Sequence, residues 1–273
     1  MSEIFNLWEN TPGMCEEVPT ITYYEPENKK SDAAIIIYPG GGYSHRAVHE
    51  GQGYAEYLNE HGISAFVVAY RVSPHRFPLQ LLDARRSVRY VRYYAEKFGI
   101  DKNKVCVMGS SAGAHLAALV STYFEPLEFD NIDEIDKEDY IPNKQILCYP
   151  VILLGDKSVG HIPSGKNLLG EMYPNLWEDC SPNLIANENT PDAFIWHTFK
   201  DGAVNVINSF RYAEKLRKLD KKVEMHIFPE GPHGLGLAPA KEEATEEENR
   251  IRKYVSQWGE LLIGWLRYIN YLK

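Results

Sequence analysis

The sequence has few cysteines, and none of them is spaced to hold a metal ion. Its 273 residues include four, Cys15, Cys106, Cys148 and Cys180, and no two of them form a C-x-x-C pair. Cys106 and Cys148 lie inside apolar runs typical of buried strands, where a thiol behaves as a small hydrophobic group. We therefore expect reduced thiols and no metal centre.

The sequence also lacks a long uncharged apolar run. Its most apolar tail stretch, from Leu261 to Leu272, is interrupted by Arg267 and Asn270, so it cannot span a bilayer. The first ten residues, MSEIFNLWEN, have neither the basic nor the apolar region of a signal peptide. We expect a cytoplasmic protein that does not insert into a membrane.

Positive charge is scarce and scattered. Lysine and arginine total 29 against 38 acidic residues, which gives a net charge of −9. An acidic surface repels phosphate backbones and anionic lipids, so we expect no nucleic-acid or membrane-surface partner. The nearest approach to a basic cluster has helical spacing and is interpreted as the solvent-exposed side of a helix. Its members are Arg85, Arg86, Arg89 and Arg92.

Apolar runs rich in β-branched residues alternate with longer segments of helical period, which predicts a mostly parallel sheet with helices on both faces. Several runs are apolar on successive residues, as expected of strands covered on both sides. The predicted strands are Ile21–Tyr24, Ala33–Tyr38, Ser64–Tyr70, Val105–Met108, Gln145–Tyr149, Ala193–Thr198 and Val223–Phe228. The length favours one large α/β domain, residues 1–273.

Five helices and two irregular segments are predicted between these strands. The helices are Gly51–His61, Leu79–Phe98, Ala112–Phe124, Val206–Leu219 and Glu246–Leu272. Residues 125–143 are acidic, and residues 154–191 are rich in glycine, proline and asparagine. Because insertions between core elements often form lids or substrate-facing loops, we expect such a role for both segments.

The sharpest motif is G-x-S-x-G, formed by Gly109, Ser111 and Gly113, directly after an apolar strand and before a helix of small residues. This is the context of a nucleophile elbow, in which a strained turn lifts the serine hydroxyl clear of the sheet. The spacing selects Ser111 over its neighbour Ser110. A phosphate-binding turn is disfavoured because no G-K-[ST] follows.

Three consecutive glycines follow the strand that ends at Tyr38. Glycines allow backbone N–H groups to point into a cavity without obstruction, which an oxyanion hole requires. The predicted donors are the N–H groups of Gly41, Gly42 and Ala112.

A base and an acid are expected at the same edge of the sheet. His233 lies between two glycines in E-G-P-H-G, after the last predicted strand, and is the candidate general base. Asp201 follows the preceding strand and completes the order Ser–Asp–His. Asp192 is its competitor, but it precedes that strand and so falls at the opposite edge.

The remaining candidates flank these motifs. Tyr43 and His45 follow the glycines and are expected to line the substrate pocket. His115 is expected to pack or cap within its helix, and His197 ends a strand. Surface or packing roles are expected for the other histidines, which are His49, His61, His75, His161 and His226.

Together these motifs resemble the acetyl-xylan-esterase-like and bacterial feruloyl-esterase-like branch of the α/β-hydrolases. The matching stretches are YPGGGYS from Tyr38, YRVSP from Tyr70, FPLQ from Phe77, GSSAGAHL from Gly109, WHT from Trp196 and FPEGPHGLG from Phe228. The resemblance runs from about residue 20 to residue 270. It implies the α/β-hydrolase fold, hydrolysis of carboxylic esters, often acetyl groups on carbohydrates, and a triad of Ser111, Asp201 and His233.

Two positions depart from related sequences. Pro39 stands where the related lipase and esterase group has histidine, and Val204-Asn205 stands where many relatives have Val-Pro. The first departure is common in the carbohydrate-esterase branch and leaves the mechanism intact. A member without a secretion signal is expected to meet short acetylated sugars rather than polymeric xylan.

The predicted function is therefore a serine esterase for a small-molecule ester, with no metal or organic cofactor, as a monomer or homodimer. A peptidase or formamidase of the same fold is the nearest alternative. A hydrolase fold kept as a non-catalytic binding protein is another. Dinucleotide binding is disfavoured because the glycine loop lacks G-x-G-x-x-G spacing.

Overall fold

Six parallel strands form the centre of an eight-stranded sheet in the computed structural model, which describes residues 2–13 and 17–273. The strand order is β1-β2-β4-β3-β5-β6-β7-β8. The strands are β1 Ser2–Asn6, β2 Thr20–Tyr24, β3 Ala34–Tyr38, β4 Ser64–Ala69, β5 Val105–Ser110, β6 Lys144–Cys148, β7 Ala193–Thr198 and β8 Val223–Phe228. At one edge, β2 runs antiparallel to both of its neighbours, β1 and β4, and the other described pairings are parallel. The predicted sheet type is confirmed.

All seven predicted strands are present, and their ends differ from the prediction by at most two residues. Strand β1 was not predicted. It pairs with β2 at the edge of the sheet, and most of its side chains are exposed. A short exposed edge strand buries no alternate face, so its sequence carries no period-two signal. Cys15, one of the cysteines expected to be reduced, lies outside the described residues.

The helices cover both faces of this sheet. They are α1 Gln52–Glu60, α2 Leu79–Tyr93, α3 Ala95–Phe98, α4 Ala112–Val120, α5 Ile162–Leu169, α6 Tyr173–Leu176, α7 Pro182–Ile185, α8 Ile207–Lys218, α9 Glu246–Val255 and α10 Trp258–Tyr268. Two helices that were predicted as continuous are each divided, at Tyr94 and at 256–257. Neither break contains a proline, and the helical spacing of apolar residues continues across it, so the sequence gives no sign of the division.

Two apolar cores lie on opposite faces of the sheet. Along β3, Ile36 and Tyr38 belong to one core, whereas Ile35 and Ile37 belong to the other. This alternation follows from the period of two along a strand. Helices α2, α4 and α8 cover the first face, and α1, α9 and α10 cover the second. With both faces buried, the sheet holds the carboxyl ends of its parallel strands in fixed positions at one edge.

The four arginines of α2 are buried, so the prediction of a solvent-exposed face was wrong. Each of these arginines is at most 6% exposed, and its guanidinium contacts the acidic segment 125–143. The contacts join Arg85 to Asp130, Arg86 to Asp133 and Asp136, Arg89 to Asp130, and Arg92 to the carbonyl of Asp139. Helical spacing had identified a common face but not the partner that covers it.

The acidic segment connects the end of α4 to the start of β6. Its last residue, Asn143, accepts a hydrogen bond from the N–H of Val105, the first residue of β5. The segment therefore lies where the parallel strands begin, whereas Ser111 follows the end of β5. This placement favours a brace on α2 over the predicted lid. No helix in the described part of the chain is long and apolar enough to cross a bilayer.

Candidate active site

Ser111 occupies a tight turn between β5 and α4. Its φ is 54°, in the left-handed region that a residue with a side chain rarely adopts. The turn is possible because the residues two positions before and after Ser111 are glycines: a Cβ on Gly109 would lie 2.2 Å from the Gly113 carbonyl oxygen, and one on Gly113 would lie 2.0 Å from that of Tyr38. The strained turn presents the serine hydroxyl at the carboxyl edge of the sheet.

The imidazole of His233 lies between the hydroxyl of Ser111 and the carboxylate of Asp201. The Ser111 hydroxyl lies 2.8 Å from His233 Nε2, and His233 Nδ1 lies 2.7 Å from Asp201 Oδ2. These distances suit a proton transfer from serine to histidine. The structure thus brings together the three side chains that the motifs predicted to meet, although they are separated by up to 122 positions in the chain.

Asp201 is held by four hydrogen-bond donors. Its Oδ1 accepts the N–H groups of Ala203 and Val204, both at 2.9 Å. Its Oδ2 faces His233 and also His197 Nε2, at 3.3 Å. Burial raises the pKa of this carboxyl, but the hydrogen bonds from the two imidazoles outweigh burial and hold the pKa well below its usual range. The group is therefore an anion that accepts a hydrogen bond from the Nδ1–H of His233.

The glycine loop lies beside the nucleophile. A Cβ on Gly40 would lie 3.2 Å from the Cβ of Ser111. The N–H of Gly40 is already bonded to Glu50, and its carbonyl accepts from Ala47. Among the described residues, no acceptor is assigned to the N–H groups of Gly41, Gly42 and Ala112. These three predicted donors remain available to a ligand.

Tyr43 and His45 have different surroundings. The Tyr43 side chain is fully buried, and its hydroxyl lies 2.7 Å from His115 Nδ1. It therefore anchors the glycine loop from behind and presents no surface to a ligand, in contrast to the predicted pocket position. His45 is exposed and contacts Ser44. His115 is buried in α4 and also bonds the carbonyl of Cys180, in agreement with the packing role expected of it.

The segment 154–191 reaches the catalytic edge. The amide of Asn167, in α5, donates to the carbonyl of Gly42 at 2.9 Å. At the other end of α5, the backbone N–H of His161 bonds the carbonyl of Leu153, two residues after Val151, whose N–H bonds the carbonyl of Ser111. The segment therefore borders the glycine loop directly and is connected to the nucleophile through residues 151–153.

No group of three or more histidine, cysteine, aspartate or glutamate side chains in the described ranges could hold a metal ion. The chemistry available at this edge is that of a nucleophilic serine, an imidazole base and free main-chain donors.

Most of this sequence matches a known protein family. The sequence model of the BD-FAE family matches residues 21–216, which include Ser111, Asp201 and the glycine loop. The chain belongs to the BD-FAE family. The match confirms the resemblance that the motifs carried.

Individual relatives of this BD-FAE chain are esterases and hydrolases. A solved structure of an acetyl ester-xyloside bifunctional hydrolase from Caldicellulosiruptor lactoaceticus is 40% identical, with a TM-score of 0.88 over 99% of this chain and 97% of that one. An acetylxylan esterase from Xylanibacter ruminicola is 36% identical over 78% of this chain and 42% of its own length. An endo-1,4-beta-xylanase B from Butyrivibrio fibrisolvens is 34% identical over 85% and 38%.

The chain thus spans about two fifths of the length of these two curated relatives. A solved α/β-hydrolase enzyme from a deep-sea metagenome library, MGS-M1, superposes with a TM-score of 0.73 at 26% identity. These structural neighbours confirm the α/β-hydrolase fold.

Several residues at the site had no predicted role there. His197, expected only to end a strand, contacts Asp201, and its position four residues before the acid was the available signal. His161 was assigned to surface or packing, yet burial and the nearby His233 lower its pKa. Glu50 and Tyr149 carried no motif at all. The Asn205 departure is accommodated because its side chain accepts the N–H of Ile207, the first residue of α8, at 3.0 Å.

Proposed function

We propose that this BD-FAE chain is a serine carboxylic-ester hydrolase that acts on small acyl esters, with acetylated sugars as its natural substrates. The observation that carries the proposal is the continuous contact from Ser111 through His233 to Asp201, at 2.8 and 2.7 Å, beside main-chain donors that are not otherwise used. A serine acyl transfer requires this combination of groups.

Acylation begins when His233 Nε2 removes the hydroxyl proton of Ser111. The serine oxygen attacks the acyl carbon, and the carbonyl electrons move to oxygen to give a tetrahedral oxyanion. As the oxyanion collapses, the bond to the alcohol oxygen breaks and the His233 imidazolium returns its proton to that oxygen. Asp201 holds the Nδ1 proton and stabilises the imidazolium while it exists.

Deacylation repeats these steps with water. His233 removes a proton from water, the hydroxide oxygen attacks the acyl carbon, and the Ser111 oxygen leaves with the proton from Nε2. The products are the free acid and the regenerated serine. No metal or organic cofactor takes part in either half-reaction.

The oxyanion of both half-reactions is assigned to the N–H groups of Ala112, Gly41 and Gly42. Ala112 is the first residue of α4, so its N–H has no acceptor within the helix, and the helix N-terminus adds a favourable partial charge. Donors fixed before the reaction stabilise the developing charge without reorganisation.

The size of the acyl group and the sugar substrate are supported by two observations. Ser111 is only 6% exposed, so a small acyl group reaches it more readily than a long chain. The relatives named above include an acetylxylan esterase and an acetyl ester-xyloside hydrolase. We assign contact with the alcohol part of the substrate to the segment 154–191, because its Asn167 bonds the glycine loop.

The test is a substrate panel with purified chain. It contains p-nitrophenyl acetate, butyrate and octanoate, acetylated xylose and xylo-oligosaccharides, and an amino-acid p-nitroanilide. We expect turnover to fall as the acyl chain lengthens, with acetyl release from the sugars. In Ser111→Ala, turnover should fall about 10⁴-fold or more. Ser110→Ala is the matched control, because Ser110 makes no contact with His233.

Three outcomes contradict the proposal. Equal turnover by the wild type and Ser111→Ala excludes a serine mechanism. Faster cleavage of the anilide than of the acetyl ester favours the peptidase alternative. Saturable sugar binding without turnover of any compound in the panel favours a binding protein.

A further inference from the structure

A buried carboxylate lies behind the glycine loop. Glu50 ends a 3₁₀ turn, Val48–Glu50, that follows this loop, and it is 3% exposed. Its Oε2 accepts the N–H of Gly40 at 2.8 Å, and its Oε1 accepts the hydroxyl of Tyr149 at 2.6 Å. Both oxygens of a buried acid are therefore used by donors from different parts of the chain.

Tyr149 connects this carboxylate to the loop that bears His233. Its hydroxyl accepts the N–H of Gly236, three residues after His233, at 3.0 Å. Its ring packs edge-on against the His233 imidazole, with the ring centres 5.1 Å apart. Burial, followed by the charge of Glu50, raises the pKa of Tyr149 well above its ordinary value, so the hydroxyl remains a donor.

Stability alone gives little reason for this arrangement. A buried carboxylate loses its hydration, and apolar replacements of buried ionic groups are often neutral or stabilising. Within 4 Å of Glu50, the described residues provide one ionisable nitrogen, His49 Nε2 at 3.8 Å, and His49 is largely exposed. Glu50 is therefore not half of a buried ion pair.

The position of Glu50 beside the glycine loop explains this buried carboxylate better. Gly40 is wedged between the carboxylate and the nucleophile, since a Cβ there would lie 2.4 Å from Glu50 Oε2 and 3.2 Å from the Cβ of Ser111. With its N–H fixed by Glu50 and its carbonyl fixed by Ala47, Gly40 sets where the next two N–H groups stand. A displacement of oxyanion donors by about 1 Å costs on the order of 100-fold in rate.

We propose that Glu50 is a positioning residue. Through Gly40 and Tyr149, its carboxylate fixes the positions of the glycine loop and of the loop that bears His233 relative to each other, around Ser111. The proposal rests on the proposed esterase function and adds to it a residue that neither touches the substrate nor belongs to the triad.

Glu50→Gln tests it with nearly unchanged shape. An amide offers one acceptor oxygen, so it cannot accept from both Gly40 and Tyr149, and its NH₂ group faces one of these donors. We expect kcat for p-nitrophenyl acetate to fall about 10- to 100-fold with KM changed less than about threefold, because only transition-state stabilisation is lost. Tyr149→Phe should give a similar split between kcat and KM.

The double variant supplies a second readout. If the two side chains act through one connection, Glu50→Gln combined with Tyr149→Phe should lose little more than the worse single variant. Tyr54→Phe is the matched control: the Tyr54 hydroxyl is equally buried and lies 3.3 Å from that of Tyr149, but it contacts neither loop. It should lower the unfolding midpoint in urea and leave kcat within about threefold.

The rate of Ser111 phosphonylation by a fluorophosphonate probe separates this proposal from the proposed function, because the probe needs the nucleophile and oxyanion donors but no ester. One outcome is that the wild type reacts with the probe, while folded Glu50→Gln and Tyr149→Phe react with it, and hydrolyse the ester, as fast as the wild type does. That result overturns the positioning role alone. Equal losses in Tyr54→Phe, or additive losses in the double variant, also overturn it. A wild type that neither hydrolyses esters nor reacts with the probe overturns both proposals.

Discussion

Asp201 Oδ2 lies 2.7 Å from one imidazole, that of His233, and 3.3 Å from Nε2 of a second, that of His197. His197 is fully buried, and its Nε2 also lies 3.0 Å from the carbonyl of Val204. Because a carbonyl only accepts, Nε2 carries a proton, and Nδ1 lies 2.8 Å from the hydroxyl of Ser209. His197 therefore acts on the acid as a fixed N–H donor.

Removing the His197 donor should make the orientation of the Asp201 carboxylate less fixed. In His197→Leu, Asp201 loses one hydrogen bond to a charged oxygen, and we expect kcat/KM for p-nitrophenyl acetate to fall about tenfold. His226→Leu is the control, because His226 pairs with Glu224 away from the site. A His197→Leu enzyme that retains kcat/KM within about twofold of the wild type would contradict the role.

The buried His115 should make stability depend on pH. Burial lowers its pKa to about 4, whereas the unfolded imidazole titrates near 6.5. As the pH falls from 6.5 to 4, the unfolded state takes up a proton that the folded state does not, so stability is lost over this window, by about 3 kcal/mol in total. His115→Gln does not titrate, so its unfolding free energy should fall less steeply than that of the wild type between pH 7 and 4.5. Urea unfolding at several pH values measures both slopes, and parallel slopes would be evidence against the assignment.

The arginine brace on α2 should stabilise the fold without serving catalysis. Arg86 is 1% exposed and contacts Asp133 at 2.6 Å and Asp136 at 2.9 Å. Arg86→Met leaves the buried Asp136 without this cation, which typically costs about 3–5 kcal/mol. We expect a large drop in unfolding free energy in urea and an unchanged kcat/KM for the folded fraction.

The exposed pair of Lys218 and Glu214 is the control for this brace, and Lys218→Met should leave the unfolding midpoint in urea essentially unchanged. A loss of catalysis in Arg86→Met at full folding would instead support the lid role that the sequence predicted for residues 125–143.

Two glycines should respond in opposite ways to alanine. A Cβ on Gly113 would lie 2.0 Å from the Tyr38 carbonyl oxygen, so Gly113→Ala must displace α4 from β3 and should abolish esterase turnover or folding. Gly264 lies in α10, and a Cβ there meets nothing within 4 Å. Gly264→Ala should stabilise the chain by about 0.5–1 kcal/mol, because alanine favours the helix. Thermal unfolding compares the two; an active, fully stable Gly113→Ala would contradict the packing described for the elbow.

The sequence predicted those features that local patterns encode. Buried parallel strands appear as continuous apolar runs, and the elbow around Ser111 needs glycines at two fixed positions. Asp201 and His233 each follow a strand, and the carboxyl ends of parallel strands share one edge. The seven strands and the meeting of the three side chains could therefore be anticipated.

The remaining features depend on partners far apart in the chain. Glu50 and Tyr149 are separated by 99 positions, and neither is marked by its neighbours in the sequence. The face formed by Arg85 and Arg86 was visible, but only the folded chain shows that the acidic segment covers it. The position of Tyr43 after the glycines predicts a pocket residue. Its positive φ and its hydrogen bond to His115 instead direct its side chain toward the core.

The most direct test of the catalytic relay is the site of covalent labelling by a fluorophosphonate probe, located by peptide mass spectrometry. We expect a single adduct on Ser111, absent in Ser111→Ala, retained in Ser110→Ala, and formed at least about 100-fold more slowly in His233→Ala. An adduct on Ser110, or labelling of Ser111 at the same rate without His233, would contradict it.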